Sequence, residues 1–139
     1  MITIVYFALS LVLLVVISLS VILKRRRLKI TYGYGRNYEI ADIVSAHSNF
    51  VAYTPFSLML IAMLEFLSLA NFYFILMLAI LMFAGRVMHF QGLYHFKKNK
   101  DFKLRVWGMH LTLWPMIAGS LALLIGFCLN LSKFVVVPY

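Results

Sequence analysis

Polar side chains occur in three places where the surrounding sequence is apolar enough to cross a bilayer. Ser45, His47, Ser48, Asn49, Tyr53 and Thr54 stand in the first half of residues 39–69. Arg86 and His89 stand in the last part of 72–94, and Arg105 near the start of 102–131. A polar group in hydrocarbon costs free energy unless something pairs with it. Helical steps of three and four put Ser45, Asn49, Ala52, Tyr53 and Phe56 on one face. The same steps join Arg86, His89 and Leu93, and also Arg105, Met109 and Thr112. Counted from the basic loops, Asn49 lies about ten residues deep, roughly 15 Å at the helical rise. Arg86, His89 and Arg105 are no deeper, so three helices share one polar, basic layer. Guanidinium groups at that level suit a small anionic molecule. The other side of the layer can meet an apolar molecule dissolved in the bilayer. The candidate residues are therefore Asn49, Tyr53, Arg86, His89 and Arg105, with Arg36 in the preceding loop as a further anion contact.

Other chemistries fit less well. Arg86 has a structural reading of equal weight, bonding helix carbonyls or Asn49. His47 points to another face than Asn49 and reads as a packing residue, and His110 as an interhelical hydrogen bond. The separated histidines lack acidic partners at ligand spacing, so no metal site is expected. Nothing has the form of a hydrolase triad or a phosphate loop. Cys128 is the only cysteine, sits in an apolar run and can form no internal disulfide.

The elements that must position these residues follow from composition. The chain has 139 residues, of which 64% are hydrophobic and 12% charged. A soluble domain of this size needs more charge to cover its surface, so the class is a polytopic, all-α integral membrane protein with a single domain over 1–139. Spans are expected at about 2–23, 39–69, 72–94 and 102–131, each long enough for a hydrocarbon core of roughly 30 Å. The first has no basic residue before it and Lys24-Arg25-Arg26-Arg27 after it, the flanks of a retained anchor rather than a cleaved signal. The net charge of +9 raises nucleic acid as a partner, but the charges gather beside spans. Lys24, Arg25, Arg26, Arg27, Lys29 and Arg36 fill one loop; Lys97, Lys98, Lys100, Lys103 and Arg105 fill another. That pattern sets topology and contacts anionic headgroups, and no nucleic-acid partner is expected. Both basic loops fall on one side, cytoplasmic by the positive-inside rule, which puts both termini on the other. Gly33 and Gly35 mark a turn before the second span. Glu39 and Asp42 favour its N-terminal dipole, and Pro55 kinks it. The architecture is a four-transmembrane-helix bundle.

Three segments, in order and at the right depth, resemble one family. AHSNFVAYTPFSLMLIAMLEF resembles the second-helix signature of the MAPEG family, the membrane-associated proteins of eicosanoid and glutathione metabolism. GRVMHFQGLYH resembles its third-helix signature, and FKLRVWGMHLTL the start of its fourth helix. The likeness covers nearly the whole chain and is strongest to the small bacterial members. It implies a homotrimer with glutathione, as co-substrate, bound between subunits near the cytoplasmic side of a bacterial inner membrane. It implies that Arg105 stabilises the glutathione thiolate, and it matches Asn49, Tyr53 and Arg86 to signature positions. Departures are specific. Ser45 stands where the family has arginine, Ala52 where it has glutamate, and His89 and Leu93 where it often has tyrosines. Losing Arg and Glu together has the form of a compensated charge pair.

Two functions follow as expectations. The first is a glutathione-dependent membrane transferase or peroxidase acting on lipophilic electrophiles. A thiol of pKa about 8.5 brought to about 6 needs roughly 3.4 kcal/mol of preferential thiolate stabilisation. One guanidinium in a partly dry site supplies that order of energy. Arg105 takes this role, Arg86 and Arg36 hold carboxylates, Asn49 and Tyr53 orient the tripeptide, and His89 donates a hydrogen bond. The second is a non-catalytic family member that binds a lipid or partner helix, which Ser45 and Ala52 favour. A pore is the weakest reading, because few acidic or polar residues line the spans.

Overall fold

A computed structural model describes residues 1–94 and 102–130. Four helices run in order: α1 (Ile2–Leu28), α2 (Tyr38–Phe66), α3 (Phe72–Tyr94) and α4 (Lys103–Leu129). Each is long and apolar enough to cross a membrane, and no strand occurs among the described residues. Lys97, Lys98 and Lys100 of the second basic loop lie outside the described residues.

Local chemistry sets the helix ends. The apolar run of α1 stops at Leu23, but the helix continues to Leu28, because Lys and Arg are good helix formers. Arg25, Arg26 and Arg27 occupy its last turn, where cations meet the negative end of the dipole. Asn37 caps α2, its Oδ1 accepting from the Glu39 N–H at 2.9 Å. Asn71 does the same for α3, accepting from the Phe74 N–H at 2.8 Å. The second span was expected to reach residue 69, yet α2 ends at Phe66. Ser68 turns left-handed at φ 52°, and the Leu69 N–H folds back onto the Leu64 carbonyl at 3.1 Å. Pro55 and Pro115 are accommodated inside α2 and α4 without ending either.

The bundle is tied at both ends. At one, the Glu65 carboxylate accepts from the N–H groups of Ile2 and Thr3, each at 2.7 Å, and from the Thr3 hydroxyl at 2.6 Å. It also pairs with the Met1 amino group. An acid on the first turn of α1 satisfies orphan donors and complements the dipole. At the other end, Lys24 pairs with Glu39 at 3.4 Å and stands over the Tyr94 ring. Between the ends, Tyr6, Leu60, Ile61, Leu64, Ile75, Leu78, Ala79 and Met82 form the buried core.

Exposed side chains are largely apolar, including Val12, Val15 and Leu19 on α1 and Leu121, Leu124 and Ile125 on α4. That surface matches hydrocarbon. Lipid competes with core packing on equal terms, so the helices associate through close fit and interhelical hydrogen bonds. The tightest fit joins α3 to α4. A Cβ added at Gly108 would lie 2.6 Å from the His89 nitrogen and 2.7 Å from the Gly85 carbonyl oxygen. One added at Gly92 would lie 2.7 Å from the Arg105 nitrogen. Backbone meets backbone along this seam, which only glycine permits.

Candidate functional site

The α3–α4 seam builds the polar layer. With Gly85 and Gly108 in contact, Arg86 and Thr112 face one another across it. Arg86 is 4% exposed and Thr112 is fully buried. The guanidinium donates to Thr112 Oγ1 from Nε at 3.0 Å and from Nη2 at 2.7 Å. The Thr112 hydroxyl itself donates to the Gly108 carbonyl at 2.9 Å, so it is fully used. The third guanidinium nitrogen, Nη1, donates to Asn49 Oδ1 at 2.5 Å. The Tyr53 ring lies under the guanidinium, 5.2 Å from centroid to Cζ, a cation–π contact. One arginine thereby joins α2, α3 and α4.

This arrangement has a chemical consequence for Asn49. Arg can only donate, so the amide must present its oxygen to Arg86. Its N–H groups then point elsewhere and remain donors for an anion or a carbonyl. Asn49 and Tyr53 are both half-buried, at the edge of the protomer rather than in its centre.

His89 follows Arg86 by one turn and is 4% exposed. Its backbone packs on Gly108, and it lies within electrostatic range of both Arg86 and Arg105. Arg105 is half-buried, with its backbone held against Gly92. Asn49, Tyr53 and Arg86 thus meet directly, His89 follows one turn along α3, and Arg105 lies further along the same seam, against Gly92. Arg36 is not drawn in. It is exposed in the α1–α2 connection, in a left-handed conformation at φ 54°. Ser45 and Ala52, where the signature has charges, are exposed on the outer face of α2.

A model of the MAPEG family matches residues 3–125. The chain belongs to this family. Two proteins of Escherichia coli, strains K12 and O6:H1, each described as inner membrane protein YecN, are 30% identical to it over 122 residues. Those alignments cover 88% of this chain and 89% of each relative. As a MAPEG protein with four membrane-length helices, the chain is an integral membrane protein. The matched MAPEG region contains every residue of the polar layer.

Some contacts were not foreseen. Thr112 was placed on the Arg105 face without a role, yet it takes two of the three guanidinium bonds. The available signal was its position four residues after Gly108, opposite a glycine beside an intramembrane arginine. His110 was expected to bond across helices. Instead its Nδ1 accepts from Trp114 Nε1 at 3.2 Å within α4, because the i, i+4 spacing brings the two rings together. Tyr6 also adds a polar contact, its hydroxyl meeting Ser57 at 2.7 Å in the core. Ser57 donates onward to the Thr54 carbonyl at 2.9 Å, just before Pro55.

Proposed function

We propose that this MAPEG protein binds glutathione between the subunits of a homotrimer and transfers its thiolate to lipophilic electrophiles. The observation that supports the reading is the buried contact of Arg86 with Asn49 and Tyr53, with His89 and Arg105 along the same α3–α4 seam. The basic end of the bundle is taken as cytoplasmic. Residues Ser45 and Ser48 on α2 are polar, exposed on the protomer and at membrane depth. A second copy of the chain would cover them and remove their cost in hydrocarbon.

Each residue has a task in this scheme. Half-buried Arg105 offers its guanidinium to the sulfur, where preferential stabilisation of the thiolate raises nucleophilicity. Arg86 is engaged on three sides, so it acts on the tripeptide chiefly through Asn49 and Tyr53, which it orients. Asn49 supplies N–H donors, and His89 supplies a hydrogen bond where relatives of the signature carry tyrosine. The electrophile arrives through the bilayer between helices. Attack of sulfur on an aryl halide forms the C–S bond and releases halide; on a lipid hydroperoxide it forms the S–O bond of a sulfenic acid and releases an alcohol after protonation. A second glutathione then reduces the sulfenic acid, giving the disulfide and water.

The test is conjugation of an aryl halide by the purified protein in detergent, with calorimetry for glutathione. Arg105→Ala should lower turnover about 100-fold, the order found when one charge-stabilising donor is lost, and leave glutathione bound. Unchanged turnover removes Arg105 from the mechanism. A second reading, non-catalytic binding of a lipid or partner helix, is favoured by the absence of charge at Ser45 and Ala52. Failure of glutathione to bind at millimolar concentration would select it.

A further inference from the structure

The chain reverses sharply after α1. Lys29 is left-handed at φ 55°, its N–H donates to the Arg26 carbonyl at 3.2 Å, and the Ile30 N–H donates to the Arg25 carbonyl at 3.1 Å. The reversal lays Ile30 and Thr31 back beside the last turns of the helix. Ile22, Arg25, Arg26, Lys29, Ile30 and Thr31 line an open cleft of about 410 Å³.

Three cations surround this cleft, and no acid among the described residues lines it. Glu39, the first acid after it in sequence, is engaged by Lys24 at 3.4 Å. Arg25 Nη1 is shielded from solvent and has no hydrogen-bond partner among the described residues. A guanidinium N–H removed from water without an acceptor carries a desolvation penalty that a bound anion would offset. The cleft also sits where the apolar run of α1 ends and its basic turn begins, the level of phospholipid headgroups. Ile22 and Ile30 give it an apolar side that suits the start of an acyl chain.

We propose that this cleft is a binding site for the phosphodiester group of an anionic phospholipid, held by Arg25, Arg26 and Lys29. The site is separate from the polar layer around Arg86: Lys24 points inward to Glu39 and Tyr94, whereas Arg26 and Ile22 are exposed on the outer side of α1. The inference does not depend on glutathione chemistry. It differs from a diffuse attraction of basic loops to membranes, because it singles out the three lining cations over Arg27, which the cleft excludes.

The experiment is native mass spectrometry of the full chain in detergent, titrated with phosphatidylglycerol, phosphatidylcholine or inorganic phosphate. One phosphatidylglycerol per chain is expected to be retained in preference to phosphatidylcholine. Its apparent affinity should fall about five-fold for each charge removed, the order set by one basic residue at an anionic surface. Arg25→Gln and Arg26→Gln read this directly. Lys29→Gly guards against misfolding, since glycine suits the left-handed conformation there. Arg27→Gln should change affinity less than two-fold. An equal loss with Arg27→Gln, or equal retention of phosphatidylcholine, would overturn the site. Displacement of the lipid by inorganic phosphate at equal concentration would make a free anion the ligand and overturn the phospholipid assignment.

Discussion

Replacing Thr112 with valine isolates the hinge of the polar layer. The side chains have nearly the same shape, so no cavity opens, but the oxygen that accepts two guanidinium bonds disappears. The Arg86 Nε and Nη2 groups are left without their acceptor at a site 4% exposed. Interhelical hydrogen bonds in membranes average about 0.6 kcal/mol and reach about 1.7. Charge-assisted ones belong at the upper end, so two of them set an expected loss of about 2 to 3 kcal/mol. Thr112→Ser keeps the oxygen and removes one methyl, which costs about 0.8 kcal/mol. The assay is unfolding in mixed micelles of rising SDS fraction, followed by loss of helicity. Combining Thr112→Val with Asn49→Ala should give a non-additive result, because both residues share one guanidinium. If Thr112→Val loses no more than Thr112→Ser, Arg86 is not held by this bond and the account of the layer fails.

Other outcomes follow from the same contacts. Gly108→Ala should destabilise by about 1 to 3 kcal/mol, the usual cost of overpacking, since the new methyl meets backbone that cannot rotate away; unchanged SDS resistance would show that α3 and α4 part freely. Glu65→Gln should cost about 1 kcal/mol, in line with the loss of a charged helix cap, and should expose the first amides of α1 to faster hydrogen exchange. Restoring both signature charges with Ser45→Arg and Ala52→Glu should tighten glutathione binding in calorimetry, whereas Ala52→Glu alone should weaken folding in detergent; equal affinity for the double variant and the parent would separate these positions from the tripeptide. Tyr6→Phe should lower stability by about 1 kcal/mol, the net worth of a hydrogen bond, with no change in glutathione affinity.

Hydropathy and charge order determined the membrane class, the number of helices and their approximate limits, because hydrocarbon imposes a length and headgroups attract cations regardless of how the helices pack. Helical spacing and depth also picked out Asn49, Tyr53 and Arg86, which meet in the fold, since the rise per residue converts sequence distance into height. Height does not say which faces meet. Only the folded bundle showed that Gly85, Gly92 and Gly108 bring α3 and α4 into backbone contact, and that this contact hands Arg86 to Thr112 and Asn49. It likewise showed that Arg36 stays outside and that Glu65 caps α1. Rotation about each helix axis is decided by how neighbouring surfaces fit, and a guanidinium in hydrocarbon takes whatever acceptor that fit brings within reach.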